Sequence, residues 1–317
     1  MKNKNILVLG GAGFIGSQLC CFLLNKNYNV SIIDGLVKKT GGSYENIKKF
    51  QKYLTNCEIK NIHSNHDLSK IIDKSNVIID SFGLTNHMLG IKDPLLDIKL
   101  NLNSHISFLK KYNNLLKNKL IINFSSIGVY GSQKKKIVNE NSNCNPIDIQ
   151  AINKLSTELY YNFYALKNNF IAINLRLSSC FGTSQNLSKD SGFFSYLLYN
   201  IINRKKFIIY DNLSRSRYLL FLEDLNFILE NFINNPPNCN TTYNVTGKKL
   251  SIKKILHSFK KLGYPINYDI NKINLKFVDQ FNYLISDKKL LSYQPNFNYT
   301  KFDNALSKTL QSVDKKI

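Results

Sequence analysis

Three glycines at three-residue spacing are the residues in this chain whose types and spacing most clearly indicate a chemistry. Gly10, Gly13 and Gly16 follow one apolar run and precede another, an order that predicts a strand, a glycine turn, a helix and a second strand. Such glycines allow a tight turn, a close approach of the backbone to a pyrophosphate, and close packing of the helix on the strand. The pyrophosphate would then lie at the helix N-terminus, beside Phe14 and Ile15.

Asp34 closes the second apolar run, 18 residues after Gly16. At the end of a second strand a carboxylate can accept hydrogen bonds from both hydroxyls of a ribose, and it repels a 2′-phosphate. The pattern therefore predicts a dinucleotide site that binds NAD in preference to NADP.

The length and composition restrict the remaining possibilities. A chain of 317 residues, 43% of them hydrophobic, is long enough for one large α/β unit with a smaller lobe. Its apolar stretches are far shorter than the ~20 residues that span a bilayer, and its first apolar run leads directly into the glycine turn. We therefore expect no membrane span, no signal peptide and a cytoplasmic protein. Six cysteines without paired spacing predict reduced, mostly buried thiols and no metal site.

The net charge of +22 raises the question of nucleic-acid binding. Lysines are scattered over most of the chain without a stripe of interleaved aromatic residues, and only four of the 43 basic residues are arginine. We therefore expect no nucleic-acid partner, whereas binding of an anionic small molecule is compatible with the charge.

Strand-like runs alternate with helical segments through the first half of the chain. This alternation predicts an α/β fold of the Rossmann type, with a doubly wound parallel sheet. Residues 93–116 repeat apolar side chains at helical spacing and predict one long helix, on which Asn101 and Asn103 can be read as solvated. The predicted strands after the first two are residues 58–62, 76–83, 119–126 and 170–177.

The pattern loosens into shorter elements after residue 177. We expect residues 1–177 to form the NAD-binding domain and residues 178–317 to form mainly a smaller C-terminal α/β substrate lobe. A segment near 212–235 mixes a strand with a helix and is expected to return to the first domain.

Taken together, these motifs resemble the extended short-chain dehydrogenase/reductases, specifically the NAD-dependent sugar-nucleotide epimerases and dehydratases. The resemblance covers nearly the whole chain. It is carried by GGAGFIG at 10–16, Asp34, DP at 93–94 with Asn101, SSIGVYG at 125–131, Pro146 with Lys154 and Glu158, LRLSSCFG at 175–182, Arg217 with Asp224, YNVTG at 243–247 and SDKKLL at 286–291.

The resemblance implies hydride transfer between a sugar carbon and the nicotinamide of NAD. It places Ser126 at the hydroxyl that hydrogen-bonds the reacting sugar oxygen, and Lys154 at the lysine that binds the nicotinamide ribose. Gln150 stands where the family has a tyrosine, four residues before that lysine. An amide cannot exchange a proton near neutral pH, so the usual proton carrier is missing.

Other positions differ from the family pattern as well. Residues 80–83 read DSFG where the family has a His-Leu-Ala-Ala run beside the cofactor, and the acid usual after the third strand is absent from residues 61–65. By resemblance the nucleotide-sugar substrate would contact Ser179, which replaces the family's asparagine, together with Arg217 and Lys276.

Two hypotheses follow from these residues. The first is an NAD-dependent epimerase, dehydratase or dehydrogenase acting on a nucleotide-activated sugar, with dehydration the least expected because Ile127 and Gly128 replace the acidic pair of the family's dehydratases. The second is a non-catalytic family member that binds NAD as a partner subunit or sensor. The resemblance also implies a homodimer formed through the helix at 93–116 and the helix near Lys154. The apolar residues Leu155, Leu159, Tyr160 and Phe163 of the latter can equally belong to the core.

Overall fold

The computed structural model describes residues 4–62, 66–183, 185, 192–210, 212–271 and 283–314. Its strands are β1 (Asn5–Leu9), β2 (Asn29–Asp34), β3 (Asn56–Ile59), β4 (Val77–Asp80), β5 (Leu120–Ser126), β6 (Ile137–Val138), β7 (Ile171–Leu177), β8 (Ser179–Phe181), β9 (Phe207–Tyr210), β10 (Ser216–Phe221), β11 (Thr241–Val245), β12 (Lys248–Ser251), β13 (Tyr268–Asn271) and β14 (Leu284–Ile285).

The α-helices described are α1 (Phe14–Asn25), α2 (Ser69–Lys74), α3 (His87–Lys92), α4 (Pro94–Ile98), α5 (Ser104–Lys111), α6 (Ile149–Asn168), α7 (Phe193–Ile202), α8 (Leu222–Asn234), α9 (Ile252–Lys261), α10 (Lys288–Tyr293) and α11 (Phe302–Asp314). Short 3₁₀ helices occupy Tyr44–Asn46, Gln51–Tyr53, Asn113–Leu115 and Ile127–Tyr130, and a π-helical turn occupies Lys99–Asn103.

A seven-stranded parallel sheet forms the centre of the molecule, in the order β11-β7-β5-β4-β1-β2-β3. The register pairs Leu9 of β1 with Ile33 of β2 on one side and with Asp80 of β4 on the other. The carboxyl ends of these strands therefore meet at one edge, where ligands bind in open α/β sheets.

Side chains of β1 alternate between two cores, one on each face of the sheet. Ile6 and Val8 pack with α1 and α8, whereas Leu7 and Leu9 pack with α5 and α6. Because helices cover both faces of the sheet, the sequences of its strands are nearly continuous apolar runs. The predicted Rossmann-type doubly wound fold is confirmed.

A separate apolar cluster lies in the C-terminal half of the chain. Phe194 of α7, Leu219 of β10, Ile255 of α9 and Leu306 of α11 are buried together in it. Two later segments nevertheless belong to the large sheet, since β11 pairs with β7 and α8 packs against α1.

The predicted long helix over 93–116 is wrong in two respects. The helical path ends at Lys111, and the π-helical turn Lys99–Asn103 interrupts it between α4 and α5. Asn101 in that turn is fully buried rather than solvated, whereas Asn103 is exposed. A π turn leaves backbone groups unpaired within the helix, and the Asn101 carbonyl oxygen accepts a 2.7 Å hydrogen bond from Thr157 Oγ1 of α6.

The expectation of mostly buried thiols is also wrong. All six cysteines are free, but only Cys20 is buried, and Cys21 and Cys239 are exposed. Consecutive residues on a helix point about 100° apart, so Cys21 faces outward when Cys20 faces the core.

No described helix is long and apolar enough to cross a membrane.

A buried ion pair joins α6 to the sheet. Arg176 of β7 donates from Nη2 to Glu158 Oε2 at 2.8 Å and from Nε to Glu158 Oε1 at 3.0 Å, and both side chains are less than a tenth exposed. Ser125 donates to the same carboxylate, and Arg176 Nη1 donates to the Tyr130 hydroxyl at 3.0 Å. The paired charges therefore fix α6 against β5 and β7.

We expect Glu158→Ala to lower the free energy of unfolding by about 3–5 kcal/mol, because it leaves the Arg176 charge buried without its partner. Glu223→Ala is the matched control, since Glu223 pairs with Lys308 at the surface with both side chains more than a third exposed. That change should alter stability by less than about 1 kcal/mol. Urea denaturation of the two variants tests this, and equal losses would contradict it.

Candidate functional site

The glycine turn lies between β1 and α1 at the carboxyl edge of the sheet. Gly10 has φ +79°, and a Cβ on Gly16 would lie 2.2 Å from the Gly10 carbonyl oxygen, so neither position accepts a side chain without distortion. Gly13 caps α1 without a side-chain hydrogen bond to the helix. The first backbone N–H groups of α1, at Phe14 and Ile15, therefore point out of the helix N-terminus, where they can donate hydrogen bonds to an anion.

Asp34 ends β2 beside this turn and is buried. Its Oδ2 accepts a 2.9 Å hydrogen bond from the Ala12 N–H, and its Oδ1 accepts a 2.8 Å bond from the Leu36 N–H. Burial raises the pKa of the Asp34 carboxyl above its ordinary value, although these two hydrogen bonds oppose that shift. Each oxygen keeps a further lone pair with which to accept from a ribose hydroxyl.

A groove with about 670 Å³ of empty volume runs along this edge, and we call it the dinucleotide groove. Glycine backbone, a carboxylate, apolar side chains and several polar side chains form its wall, which suits phosphates, a ribose and a base. The defining residues are Gly10, Gly13, Asp34, Ile62, Phe82 and Leu100.

Lys154 of α6 lies close to this groove, and Ser126 ends β5 two residues after Phe124, which Lys154 contacts. Lys154 Nζ donates to the Phe124 carbonyl oxygen at 2.9 Å, and burial lowers the pKa of this amine. A Cβ on Gly83, which lines the groove, would lie 3.3 Å from Lys154 Nζ, so glycine keeps the amine close to the groove. Ser126 Oγ accepts a 3.0 Å bond from the Gly128 N–H, which leaves its own hydrogen available to donate.

Gln150 lies one turn before Lys154 on α6 and is buried. Its amide nitrogen donates to the Leu84 carbonyl oxygen, in the loop that follows β4. Asn101 contacts the same residue twice: its Nδ2 donates to the Leu84 carbonyl at 3.0 Å, and its Oδ1 accepts from the Leu84 N–H at 2.9 Å. The two amides together fasten this loop to α6 and to the π-helical turn.

Further buried polar contacts support the same region. Asp97 of α4 is fully buried, and its Oδ1 accepts from Asn101 Nδ2 at 3.0 Å and from Asn153 Nδ2 at 2.8 Å. Asn153 lies on the buried face of α6 between Gln150 and Lys154. The helix that carries the predicted catalytic positions is therefore held by side-chain hydrogen bonds rather than by apolar packing alone.

The predicted substrate residues lie on a different sheet. Ser179 of β8 is exposed, and Arg217 of β10 lies two positions before Leu219, which pairs with Ser179. The Arg217 guanidinium lies 5.2 Å from the centre of the Phe193 ring. The three-stranded sheet β12-β10-β8 thus places Ser179 and Arg217 on neighbouring strands, whereas Lys276 lies outside the described residues.

Sequence reasoning missed most of the supporting residues. Asn153 and Thr157 of α6, and His105 of α5, were not singled out, although all three are buried and polar. A signal was present on α6, where polar residues recur at the i, i+3, i+4, i+7 spacing that an amphipathic helix normally gives to apolar ones. They are Gln150, Asn153, Lys154, Thr157, Glu158 and Tyr161.

Comparison with known proteins decides the family. The sequence profile of the NAD dependent epimerase/dehydratase family matches residues 6–246. The chain belongs to this family. Its membership confirms the resemblance drawn from the motifs, the prediction of NAD as cofactor, and the expectation of an enzyme family.

Two relatives of this epimerase/dehydratase chain match over most of their lengths. A putative UDP-glucose 4-epimerase of Methanocaldococcus jannaschii is 26% identical over 265 residues, which cover 82% of this chain and 83% of the relative. CDP-paratose 2-epimerase of Salmonella typhi is 24% identical over 298 residues, which cover 85% of this chain and 87% of the relative.

Solved structures agree on the fold of this epimerase/dehydratase chain. UDP-N-acetylglucosamine 4-epimerase of Methanobrevibacter ruminantium, 23% identical, superposes with a TM-score of 0.87 over the whole of both chains. UDP-glucuronic acid 4-epimerase of Bacillus cereus, solved with UDP-glucuronic acid and NAD, is 22% identical and superposes with a TM-score of 0.86, covering 99% of this chain and all of its own.

The raised pKa of Asp34 predicts how NAD affinity depends on pH. The ionised carboxylate accepts from ribose hydroxyls, and protonation removes that acceptor. Affinity should therefore fall as the pH decreases, beginning at a higher pH than for an ordinary carboxyl group. Titrating NAD between pH 4.5 and pH 8 measures this.

Asp34→Asn, which carries no charge at any of these pH values, is the control. It should bind NAD about tenfold to a hundredfold more weakly at pH 7, as expected for losing hydrogen bonds to a charged acceptor, and should show no such pH dependence. The same pH profile in both proteins would contradict the assignment.

Proposed function

We propose that this chain is an NAD-dependent oxidoreductase or epimerase that acts on a nucleotide-activated sugar by hydride transfer at a ring carbon. The observation that carries the proposal is the position of Lys154, whose Nζ would lie 3.3 Å from a Cβ on Gly83 in the groove that the glycine turn and Asp34 begin. Lys154 also donates to the Phe124 carbonyl of β5, the strand that Ser126 ends. The UDP-sugars named for several relatives support a uridine nucleotide sugar as the substrate class. Arg217 supplies a planar cationic donor that suits a diphosphate.

NAD supplies the hydride acceptor when it is bound, and the chain supplies orientation and proton handling. Ser126 Oγ accepts a hydrogen bond from the reacting sugar hydroxyl while its own hydrogen is directed to a water, and the positive charge of Lys154 favours loss of the hydroxyl proton nearby. Gln150 cannot accept that proton, because an amide does not ionise near neutral pH. The proton therefore passes through the Ser126 hydroxyl to water. Dehydration fits poorly, since Ile127 and Gly128 stand where dehydratases of this family carry an acidic pair.

Gln150 also favours a second candidate function. Its amide is bonded to the Leu84 carbonyl oxygen, which is a structural contact rather than a catalytic one. A family member that binds NAD without turning over a sugar, and acts as a partner subunit or sensor, is compatible with that arrangement.

We propose a homodimer for either function, formed through an apolar surface on α3, α4 and α6. Leu159, Phe163 and Leu166 of α6 are 58–81% exposed, and Leu95 of α4 is 76% exposed. Both α3 and α4 contact α6, so the exposed apolar side chains of α4 and α6 lie on neighbouring elements. Exposed apolar residues in such a group are typical of an interface with a second copy.

Restoring a phenol at position 150 separates the two functions. General acid/base catalysis contributes about 10²–10⁴-fold, so Gln150→Tyr should raise turnover of a UDP-sugar by about that factor if the rest of the site is intact. Gln150→Phe is the matched control, because it removes the same hydrogen bond to the Leu84 carbonyl oxygen and adds a ring without a hydroxyl. Chromatography of UDP-glucose, UDP-galactose and their glucuronic acid and N-acetyl counterparts measures turnover.

A gain with tyrosine and none with phenylalanine would establish an enzyme slowed by its missing proton carrier. Equal behaviour of the two variants, with the parent inactive on every sugar, would contradict the catalytic proposal and favour the non-catalytic one.

The dimer is tested by placing a charge on the apolar surface. Phe163→Glu should convert the protein to a monomer, because a buried unpaired carboxylate at an interface is strongly unfavourable. Phe227→Glu is the control, since Phe227 is a half-exposed phenylalanine on α8, outside this surface. Light scattering coupled to size-exclusion chromatography gives the masses. Two unchanged masses, or a monomeric parent, would contradict the proposal.

A further inference from the structure

An aromatic residue at the carboxyl end of β4 is packed against a buried imidazole. The Phe82 ring stacks on the His105 ring of α5, with ring centres 4.3 Å apart and planes 27° apart. Phe82 itself is partly exposed and lines the dinucleotide groove, whereas His105 has no exposed surface. One face of the phenyl ring is therefore supported from inside the protein, and the residue also borders the groove.

Two further buried groups hold the imidazole in place. His105 Nδ1 lies 2.6 Å from Asp80 Oδ2, and the Tyr161 hydroxyl donates to the same oxygen. Asp80 and Tyr161 are almost completely buried, and the Tyr161 ring meets the His105 ring edge-on at 6.3 Å. Since a carboxylate only accepts, Nδ1 carries the hydrogen, which sets the tautomer and the plane of the imidazole.

The electrostatics favour a neutral ring in this stack. Burial lowers the pKa of His105, against the opposing effect of Asp80, and burial raises the pKa of Tyr161. A neutral imidazole bonded through one nitrogen gives Phe82 a rigid aromatic backing.

The backbone at Phe82 is also fixed against the glycine turn. A Cβ on Gly10 would lie 2.8 Å from the Phe82 backbone nitrogen, so this contact exists only because residue 10 is glycine. The ring then shares the groove wall with Ile62, Leu100 and Ser104, while Asp34 lies in the same wall. Asp34 and these side chains border one groove, so a nucleoside bonded to Asp34 through its ribose would have the Phe82 ring within the same groove.

We propose that Phe82 is the base-stacking residue for the adenine of the dinucleotide, and that His105, Asp80 and Tyr161 are positioning residues that hold its ring. The proposal rests on NAD binding in the dinucleotide groove, which the proposed function requires. Aromatic stacking on a base is compatible with the missing acid after β3, because it binds adenine through its flat surface rather than through its amino group.

The test compares ligands that share different halves of NAD. In Phe82→Ala, binding of NAD and of ADP-ribose should weaken by about tenfold to a hundredfold, the range that alanine substitution of a stacking ring gives for a base. Binding of nicotinamide mononucleotide, which has no adenine, should change less than about twofold. Phe82→Tyr keeps an aromatic ring and should therefore bind ADP-ribose with the affinity of the parent protein. Calorimetric titration of the 317-residue chain, with its resident nucleotide content measured beforehand, gives these constants.

A spectroscopic readout distinguishes positioning from general destabilisation. Fluorescence of 1,N6-etheno-ADP should be quenched on binding to the parent and to Phe82→Tyr, and much less on binding to Phe82→Ala. His105→Ala should reduce the quenching and weaken ADP-ribose while leaving nicotinamide mononucleotide unaffected. His105→Phe, which keeps an aromatic backing, should recover part of the quenching.

Three outcomes would overturn the proposal. Unchanged ADP-ribose binding in Phe82→Ala would exclude stacking. An equal loss for all three ligands would show that Phe82 supports the whole groove instead. A parent protein that binds neither NAD nor ADP-ribose would overturn this proposal and the proposed function together, whereas the first two outcomes leave the proposed function intact.

Discussion

The buried polar face of α6 is the constraint on which the candidate site depends. Thr157 donates to the Asn101 carbonyl of the π-helical turn, Gln150 donates to the Leu84 carbonyl, and Lys154 donates to the Phe124 carbonyl of β5. An unpaired buried backbone carbonyl costs about 1–3 kcal/mol, so each of these contacts selects one position of the helix relative to the sheet. The same contacts place Lys154 at the dinucleotide groove. Catalytic geometry and stability are therefore set by one group of hydrogen bonds.

Much of this arrangement was predictable because its determinants are local in sequence. The glycine turn, Asp34 and the strands β4, β5 and β7 follow from residue types at short spacing, and the confirmed family explains why these motifs occur in this order. Local patterns of this kind depend little on what the rest of the chain does.

The errors arose where distant residues decide the local structure. The π-helical turn at Lys99–Asn103 exists in a segment whose apolar spacing is helical throughout, and its stabilising partners are Leu84 and Thr157, 17 and 56 residues from Asn101. No pattern within the segment specifies such partners. The burial of Asn101 was missed for the same reason, because an asparagine on a helix is normally solvated unless tertiary contacts satisfy its amide.

The departures from the family pattern at Gln150 and at residues 80–83 are physically connected. Phe82 stands two residues before Leu84, so a single short loop is held at one end by the His105 stack and at the other by Gln150 and Asn101. Asp80 is the first residue of the same segment. Its negative charge opposes the lowering of the pKa that burial causes at both His105 and Lys154.

Contacts that share one loop and one buried charge do not contribute independently. A change at Gln150 alters the restraint on Leu84 and thereby the position of the residues that precede it, including the Phe82 wall. The amide at position 150 is therefore better understood as one part of a rebuilt β4 loop than as an isolated loss from an otherwise unchanged active site. It follows that the energetic effects of substitutions at Gln150 and Phe82 are coupled through this loop and will not add.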